Sequence, residues 1–216
     1  MGTGARRPPR CHSGPVTLSL LDWRRRVGAL YAAARGAADP EAGWQLWRRG
    51  RDELFAGHPD SPLDPQARAG FTGLPFAPYD AGLRFEAALA DADPLRIELP
   101  TATDGVVPFE RIGTVALGDL GRLDVWWLAG YGGGVFLPLR DGSAGRGTYG
   151  GGRYLLDTVK GADLGGSGGR LVVDLNFAYH PSCTYDPRWS CPLAPAGNRL
   201  DAVVLAGEQL PTDGWY

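Results

Sequence analysis

Lysine, cysteine and long apolar runs are scarce in this sequence, and each shortage excludes a class of protein. Lys160 is the only lysine among 22 basic residues, and the arginines are spread along the chain, so no clustered patch for phosphate groups or nucleic acid is expected. A formal net charge of −2 supports that exclusion. No stretch approaches the roughly 18–20 consecutive apolar residues of a membrane span, so we expect no membrane partner.

The N-terminal segment lacks the pattern of an export signal. Residues 1–15 contain arginines, but the apolar run behind them, 16–21, is too short to be the core of a signal peptide. We therefore expect a cytoplasmic protein with reduced cysteines and a disordered tail over residues 1–16, which contains Cys11.

Glycine and proline are abundant instead. The 33 glycines and 18 prolines indicate many turns and short strands, and a hydrophobic content of 44% is sufficient for a packed core. A chain of 216 residues has the length of one domain, or of one domain with an appendage.

The first part of the chain has the spacing of two helices. Apolar residues recur at helical intervals over 18–34, and Asp39-Pro40 is typical of the N-cap and first turn of a second helix that ends near Gly57. We predict a helical pair over residues 17–57 that packs on the outside of the remaining domain through Trp23, Trp44 and Trp47.

Arg51 lies on the apolar face of the second predicted helix. One interpretation has its aliphatic stem on that face and its charged head in water, and the other directs the arginine at the β-domain. We favour the first, because charged heads are rarely buried.

A proline-rich connector over residues 58–81 follows, and the hydrophobic period then changes from 3.6 to 2. Alternating segments bounded by turns, such as Asp104-Gly105, predict about eight strands. They are 83–89, 95–99, 106–117, 122–129, 135–140, 152–158, 170–178 and 201–207. The predicted fold class is mainly β, of the α+β type: an antiparallel barrel-like or sandwich domain over 82–210, with the helical pair outside. The run 165–169 is expected to be a flexible loop.

Polar, aromatic, glycine and thiol side chains are densest in the motif region, residues 148–199. In the predicted strand 170–178, apolar side chains face one way, while Asp174, Asn176 and, if the strand extends, His180 face the other. Aspartate and asparagine are poor strand formers, so this face is either an exposed surface or a polar mouth of the β-domain.

Six residues lie at strand ends or on polar strand faces, where one mouth of the β-domain would gather them. They are Arg140, Tyr149, Arg153, Asn176, Tyr179 and His180. Two guanidinium groups, two phenols, an amide and an imidazole suit a small anionic ligand held against aromatic walls, and binding of such a ligand is our first hypothesis. The arginines are equally able to form structural ion pairs, for example with Asp174.

Two other functions would use the same region. A hydrolase or acyl-transfer enzyme would take Cys183 or His180 as the reactive group, Asp174 as its orienting partner, and Tyr149 or Arg153 to stabilise negative charge. A structural or interaction protein would use these residues only to hold the C-terminal loop. The sequence contains no motif of a known cofactor site, so the cofactor, the identity of the ligand and the oligomeric state are left open.

Cys183 and Cys191 have four interpretations. They are separated by seven residues, whereas metal sites usually use tighter pairs, and a fourth ligand is not evident, so no metal is predicted. We rank buried structural thiols first, a disulfide second, a metal site third and a catalytic nucleophile last.

Several motifs resemble those of a known family. They are Thr148-Tyr149-Gly150-Gly151-Gly152-Arg153-Tyr154-Leu155, Asn176-x-Ala178-Tyr179-x-Pro181-x-Cys183-x-Tyr185, Cys191-Pro192-Leu193 and Asn198-Arg199-Leu200, with His58-Pro59-x-Ser61-Pro62-Leu63 and Pro78-Tyr79-Asp80 in the N-terminal half. Together they resemble the bacterial family called domain of unknown function 1684, over roughly residues 18–210. The resemblance implies no established reaction, substrate or cofactor.

The sequence departs from that family pattern at three positions. Gly147 and Gly197 stand where the family has an acidic residue, and His180 stands where it has asparagine. If those carboxylates perform acid–base chemistry in the family, this chain lacks it. The change at position 180 also argues against a metal ligand shared by the whole family.

Overall fold

The computed structural model describes residues 18–101, 105–187, 189 and 191–211. The predicted N-terminal tail with Cys11, and the Asp104 half of one predicted turn, lie outside the described residues.

The helical pair is present as predicted. Helix α1 spans Leu18–Gly36 and α2 spans Pro40–Gly57. The Asp39 carboxylate accepts a hydrogen bond from the backbone N–H of Ala42, and Pro40 occupies the first turn, so α2 begins where its capping residues place it. A short helix, α3 (Pro65–Ala69), lies in the proline-rich connector. None of the described helices has the length and apolar character that crossing a membrane requires.

Eight strands form two antiparallel sheets in the described part of the chain. The larger sheet contains, in spatial order, β2 (Arg96–Thr101), β3 (Gly105–Ala116), β4 (Arg122–Leu128), β5 (Gly134–Leu139) and β6 (Arg153–Asp157). The smaller sheet has the order β1 (Arg84–Ala88), β8 (Arg170–Asp174) and β7 (Gly166–Ser167). Strands β2 and β6 are the two edges of the larger sheet and do not pair with each other, so the barrel-like alternative of our prediction is not closed.

The helical pair packs outside these sheets through an aromatic layer. Trp44 and Trp47 are buried in the main hydrophobic core with Tyr31 of α1, and the Trp47 ring lies 4.9 Å from the ring of Phe177. Trp23 instead packs against Phe55 of α2 and against His58, the residue that follows α2. The predicted outside packing is therefore made mainly by α2.

Three of the predicted segments differ from the structure. Strand β8 ends at Asp174, because the Asp174 carboxylate accepts a hydrogen bond from the backbone N–H of Asn176 and begins a 3₁₀ turn over Leu175–Phe177. Asp174, Asn176 and His180 therefore do not alternate along one strand face. The run 165–169 is not only a loop, since β7 pairs with β8 there.

The predicted strand over residues 201–207 is also wrong. In this segment the backbone bonds to buried side chains: the Val204 N–H donates to Asp141, and Arg153 donates to the carbonyls of Val204 and Ala206. Val204, Ala206 and Glu208 are thereby buried, whereas Leu205 between them is 73% exposed.

Candidate functional site

A buried polar cluster lies between the helical pair and the sheets, around the carboxylate of Glu208. Arg51 Nη2 lies 3.0 Å from Glu208 Oε2, and His180 Nδ1 lies 3.6 Å from Glu208 Oε1. Arg153 Nη1 donates to the Glu208 carbonyl at 3.2 Å. The exposed fractions of Glu208 and His180 are 0% and 1%, so water hardly screens these charges. We call Arg51, Arg153, His180 and Glu208 the Glu208 cluster.

The head of Arg51 does not lie in water, contrary to our expectation from the helical pattern. Its side chain is 12% exposed. The guanidinium carbon lies 4.7 Å from the ring centre of Phe55 and 4.9 Å from that of Tyr179. Because a buried carboxylate without a cation would cost several kcal/mol, the ion pair with Glu208 explains why this arginine turns inward.

His180 is held in one tautomer. Its Nε2 accepts a hydrogen bond from the backbone N–H of Tyr149 at 3.2 Å, so the proton of the neutral ring is on Nδ1, the atom nearest Glu208 Oε1. Burial, and then the charges of Arg153 and Arg51, hold the pKa of His180 well below its usual value. The imidazole is therefore a neutral donor at pH 7.

Arg153 joins the C-terminal segment to β6. Its Nη2 lies 3.2 Å from Asp141 Oδ1, and the guanidinium also donates to three backbone carbonyls between Val204 and Glu208. Burial lowers the pKa of Arg153 and the charge of Asp141 opposes that shift, whereas burial raises the pKa of Glu208 and Arg51 opposes it. The cluster is thus a set of desolvated charges that compensate one another.

Six buried side-chain atoms in and beside this cluster have no hydrogen bond of normal length within the described part of the chain, and two of the six face each other at 3.6 Å. They are Tyr31 Oη, Arg51 Nε, Arg153 Nε, Asp157 Oδ1, His180 Nδ1 and Glu208 Oε1. Tyr31 and Asp157 belong to the same region, because burial raises the pKa of Tyr31, Arg51 lowers it, and Asp157 and Glu208 raise it further. Buried polar groups are normally satisfied, so this concentration marks the candidate site.

Asn176 belongs to a different network. Its amide nitrogen donates to the Asp80 carbonyl at 2.8 Å and to Asp174 Oδ1 at 2.7 Å, and its amide oxygen accepts from the Asp80 N–H at 2.8 Å. Asp174 also lies 3.4 Å from the hydroxyl of Tyr79, and burial raises the pKa of Asp174. Asn176 and Asp174 therefore tie the connector to the end of β8.

The six residues of our ligand hypothesis divide into two groups. Arg153, Tyr179 and His180 lie in or against the Glu208 cluster, and Tyr149 contacts it through its backbone N–H. Arg140 lies elsewhere: its backbone pairs with Asn198 and Leu200, beside β5. Asn176 is engaged by Asp80 and Asp174 as described.

The two thiols lie outside the Glu208 cluster. Cys183 Sγ is 3.9 Å from the Tyr149 hydroxyl. Both are free and half-buried, and Cys191 packs against the aromatic cluster that contains Tyr154. Since both nitrogens of His180 face Tyr149 and Glu208, the imidazole is not placed as a base for Cys183.

Sequence reasoning missed Glu208, Tyr31 and Asp157 as site residues. Glu208 follows a segment that we interpreted as a strand, and Tyr31 fits the apolar face of α1 like any core aromatic residue. The one local sequence feature that could have indicated the site is the pair Arg153 and Asp157 on β6. They are two charged side chains on a strand that is buried along its whole length.

The surface also carries a groove outside the Glu208 cluster. An open groove of about 520 Å³ is lined by Pro59, Leu63, Asp64, Pro65, Arg68, Ala69 and Asp186. We give it less weight than the Glu208 cluster, because Arg68 and Asp186 are only half-buried and Asp64 is exposed and used to cap α3. Among the described residues, no three His, Cys, Asp or Glu side chains are grouped so as to hold a metal ion.

At one of the two glycines where the resemblance implies an acidic residue, the structure leaves no room for a side chain. A Cβ atom at Gly197 would lie 1.9 Å from Asp124 Oδ2, so the Asp124 carboxylate occupies the space that a side chain at 197 would need. At Gly147 the nearest side-chain atom, of Gln209, is 3.9 Å away, and there is room for a side chain.

Comparisons with known proteins give a family and a fold. A family model described as "Protein of unknown function (DUF1684)" matches residues 69–209, which include the sheets, the motif region and Glu208 but not the helical pair. The solution NMR structure of an uncharacterised protein from Haloarcula marismortui is 32% identical, with a TM-score of 0.56; the match covers 79% of this chain and 94% of that one. A comparison with curated proteins finds no match.

Proposed function

Since this chain belongs to DUF1684, a family of proteins of unknown function, we propose its function from its own site: the Glu208 cluster binds a small carboxylate-sized anion. The observation that carries the proposal is the concentration of unpartnered buried atoms around Glu208. Arg51 Nε, Arg153 Nε and His180 Nδ1 are donors, and Tyr31 adds a hydroxyl. Such donors suit the oxygens of a carboxylate.

The charge balance of the cluster decides how an anion would be accommodated. Arg51 and Arg153 carry two positive charges, and Glu208 and Asp141 carry two negative charges, so the sum is zero. A monoanion entering this low-dielectric region would leave one negative charge uncompensated. We therefore propose that one proton binds with each anion, and Glu208, whose pKa burial already raises, is the group that accepts it.

Proton uptake gives the proposal a characteristic pH dependence. If each anion brings one proton, its affinity increases about tenfold for each unit by which the pH falls, provided that Glu208 is ionised in the unbound protein. His180 remains a neutral Nδ1–H donor in both states. Because Glu208 and His180 are fully buried, entry requires the helical pair and the sheets to separate transiently, so we expect slow association.

Calorimetric titration with formate, acetate and nitrate at pH 6 and pH 8 tests this function. Chloride at matched ionic strength controls for screening. We expect carboxylates to bind more tightly at pH 6 by about two decades, with uptake of one proton measured in buffers of different ionisation enthalpy. Arg51→Met should abolish binding.

Two further variants separate loss of binding from loss of folding. Arg48→Met is the matched control, since the Arg48 guanidinium lies 4.9 Å from the Trp44 ring on the same helix but forms no described ion pair with Glu208. His180→Asn keeps the buried side chain polar and removes the Nδ1–H donor, so it should weaken carboxylate binding at least tenfold. Two results would show that only water occupies the hydrogen-bonding positions of the cluster. One is that carboxylates and chloride give equal heats, and the other is that carboxylate affinity is unchanged in both Arg51→Met and His180→Asn.

A further inference from the structure

Strand β2 is an edge of the larger sheet, and its outer side carries backbone groups with which no other described strand pairs. It pairs with β3 alone, in an antiparallel register that places Arg96 opposite Glu110. The Arg111 N–H donates to the Leu95 carbonyl at 2.8 Å, and hydrogen-bonded residues alternate along such a ladder. The backbone N–H and C=O groups of Arg96 and Glu98 therefore point away from β3. An edge of this kind is a template for a further strand.

The sequence at this edge is self-complementary about Ile97. Residues 94–100 are Pro94-Leu95-Arg96-Ile97-Glu98-Leu99-Pro100. When a second copy of β2 lies antiparallel to the first with a two-fold axis at Ile97, Arg96 of each copy faces Glu98 of the other, and Leu95 faces Leu99. Opposite charges that face each other across two strands stabilise a sheet, and like charges destabilise it. We propose that two copies of this chain associate through β2 in this register, which joins their larger sheets into one.

The charges favour a second copy over a strand of unrelated sequence. Arg96 Nη1 lies 2.6 Å from Glu110 Oε1 on the neighbouring strand, whereas Glu98 forms no ion pair with another described residue. In the proposed register Glu98 receives Arg96 of the second copy, and each Arg96 then lies between two carboxylates. Because Arg96 and Glu98 are exposed, their charges determine the register and the choice of partner more than they add affinity.

The apolar face of β2 is incompletely covered in a single chain. Ile97 and Leu99 pack against the aromatic cluster that contains Phe109, yet both are only half-buried, and Leu95 is 42% exposed. These three residues alternate along the strand and so share one face. In the proposed dimer Leu95 and Leu99 of opposite copies are neighbours, and Ile97 lies beside its own counterpart. The pairing therefore removes this apolar surface from water.

Two prolines limit the pairing to this segment. Pro94 and Pro100 lie at equal distances from Ile97 and face each other in the proposed register. Neither has an N–H, so the backbone hydrogen bonds between the copies form only between Arg96 and Glu98. This short contact has the size of a transient interface, so we expect a reversible association. Since a two-fold contact occupies the same edge in both copies, it closes at the dimer and does not involve the Glu208 cluster.

Sedimentation velocity of the full chain in reducing buffer tests the proposal. The weight-average mass should rise with concentration from 23.0 kDa toward twice that value. Glu98→Arg should move the midpoint of this rise to a concentration about tenfold higher, because like charges then face each other at both symmetric contacts. Asp119→Arg is the matched control: it makes the same charge change at an exposed position in the turn between β3 and β4, and should leave the midpoint unchanged.

A mixture of two charge reversals gives a gain of association that misfolding cannot produce. Arg96→Glu alone should dimerise as poorly as Glu98→Arg alone, because its contacts then join two carboxylates. In an equimolar mixture of the two variants every contact joins opposite charges, so a heterodimer should form at a concentration about tenfold lower than either variant needs by itself.

Disulfide trapping tests the register in chains that carry Cys11→Ser. Ile97→Cys places the two introduced thiols opposite each other at a non-hydrogen-bonded pair, with Cα atoms about 4.5 Å apart, which is within reach of a disulfide. In Leu99→Cys the introduced thiols are four residues apart along the strands, roughly 13 Å, and should not cross-link. Non-reducing electrophoresis and peptide mapping measure the cross-links.

Three results would overturn the proposal. The first is a mass that stays at that of one chain up to the solubility limit, which would leave this edge without a second copy as partner. The second is a dimer that neither Glu98→Arg nor Arg96→Glu weakens. The third is equal cross-linking of Ile97→Cys and Leu99→Cys, which would show that the copies meet in another register or at another surface.

Discussion

Replacing Arg51 with methionine tests whether the buried Glu208 carboxylate depends on this arginine. Methionine retains apolar packing against Phe55 and Tyr179 but removes the charge 3.0 Å from Glu208. Breaking one partner of a buried ion pair costs about 3–5 kcal/mol. Loss of two ring contacts adds about 0.5–1 kcal/mol each. We therefore expect the free energy of unfolding at pH 7 to fall by about 4–7 kcal/mol.

The pH dependence of this loss identifies its cause. In the variant, Glu208 has an even higher pKa when folded than in the wild type, because the opposing cation is gone. A folded pKa above the unfolded value gives stability that is present at low pH and lost as the pH rises through the folded pKa. The deficit of Arg51→Met should therefore shrink as the pH falls from 7 to 5.

Urea unfolding followed by circular dichroism measures these free energies. Arg48→Met is the control and should cost about 1–2 kcal/mol, because its guanidinium lies over the Trp44 and Phe76 rings without a described carboxylate partner. Glu208→Gln in the Arg51→Met background should recover more than half of the loss, since the uncompensated charge is then absent. Additive effects of Arg51→Met and Glu208→Gln, or a loss no larger than that of Arg48→Met, would refute this reasoning.

Two other predictions follow from the same networks. The pKa of His180 is lower in the folded than in the unfolded protein, so its contribution to stability is present above the unfolded value of 6.5 and is lost as the pH falls below it. Urea unfolding at pH 7 and 5.5 should show that the free energy of unfolding falls by up to about 1.4 kcal/mol per pH unit. His180→Asn should remove this pH dependence. Asn176→Ala should cost about 2–4 kcal/mol in urea unfolding and leave carboxylate affinity unchanged, because its partners Asp80 and Asp174 lose their hydrogen bonds outside the Glu208 cluster.

Much of the fold follows from local sequence patterns. The start of α2 is determined by Asp39 and Pro40, which act on neighbouring backbone groups, and most strands follow from alternation over a few residues. The end of β8 was mispredicted because the Asp174 side chain bonds to the backbone two residues later and overrides the alternation. The segment 201–207 was mispredicted because its backbone bonds to side chains and not to another strand: Asp141 accepts from the Val204 N–H, and Arg153 donates to the carbonyls of Val204 and Ala206.

The candidate site was only partly predictable because its contacts are non-local. Glu208 contacts His180, which is 28 residues away in the sequence, and Arg51, which is 157 residues away. No local sequence pattern indicates either contact. His180 and Arg153 were identified because they are polar residues in or near buried strands. Arg51 was misinterpreted because a lone arginine on an apolar helix face is usually solvated, and its carboxylate partner becomes evident only once the chain is folded.

The central claim is that a carboxylate binds beside His180 and Glu208, and the nitrogen resonances of the His180 ring test it most directly. A two-bond ¹H–¹⁵N spectrum recorded with and without acetate at pH 6 resolves the tautomer of each of the three histidines, with His58 as the internal control and His180→Asn for assignment. We expect a neutral Nδ1–H tautomer for His180 and a saturable shift of that Nδ1–H resonance when acetate is added, while His58 is unaffected. An Nε2–H tautomer, or a His180 spectrum that acetate does not change at any concentration, would show that no carboxylate binds beside His180 and Glu208.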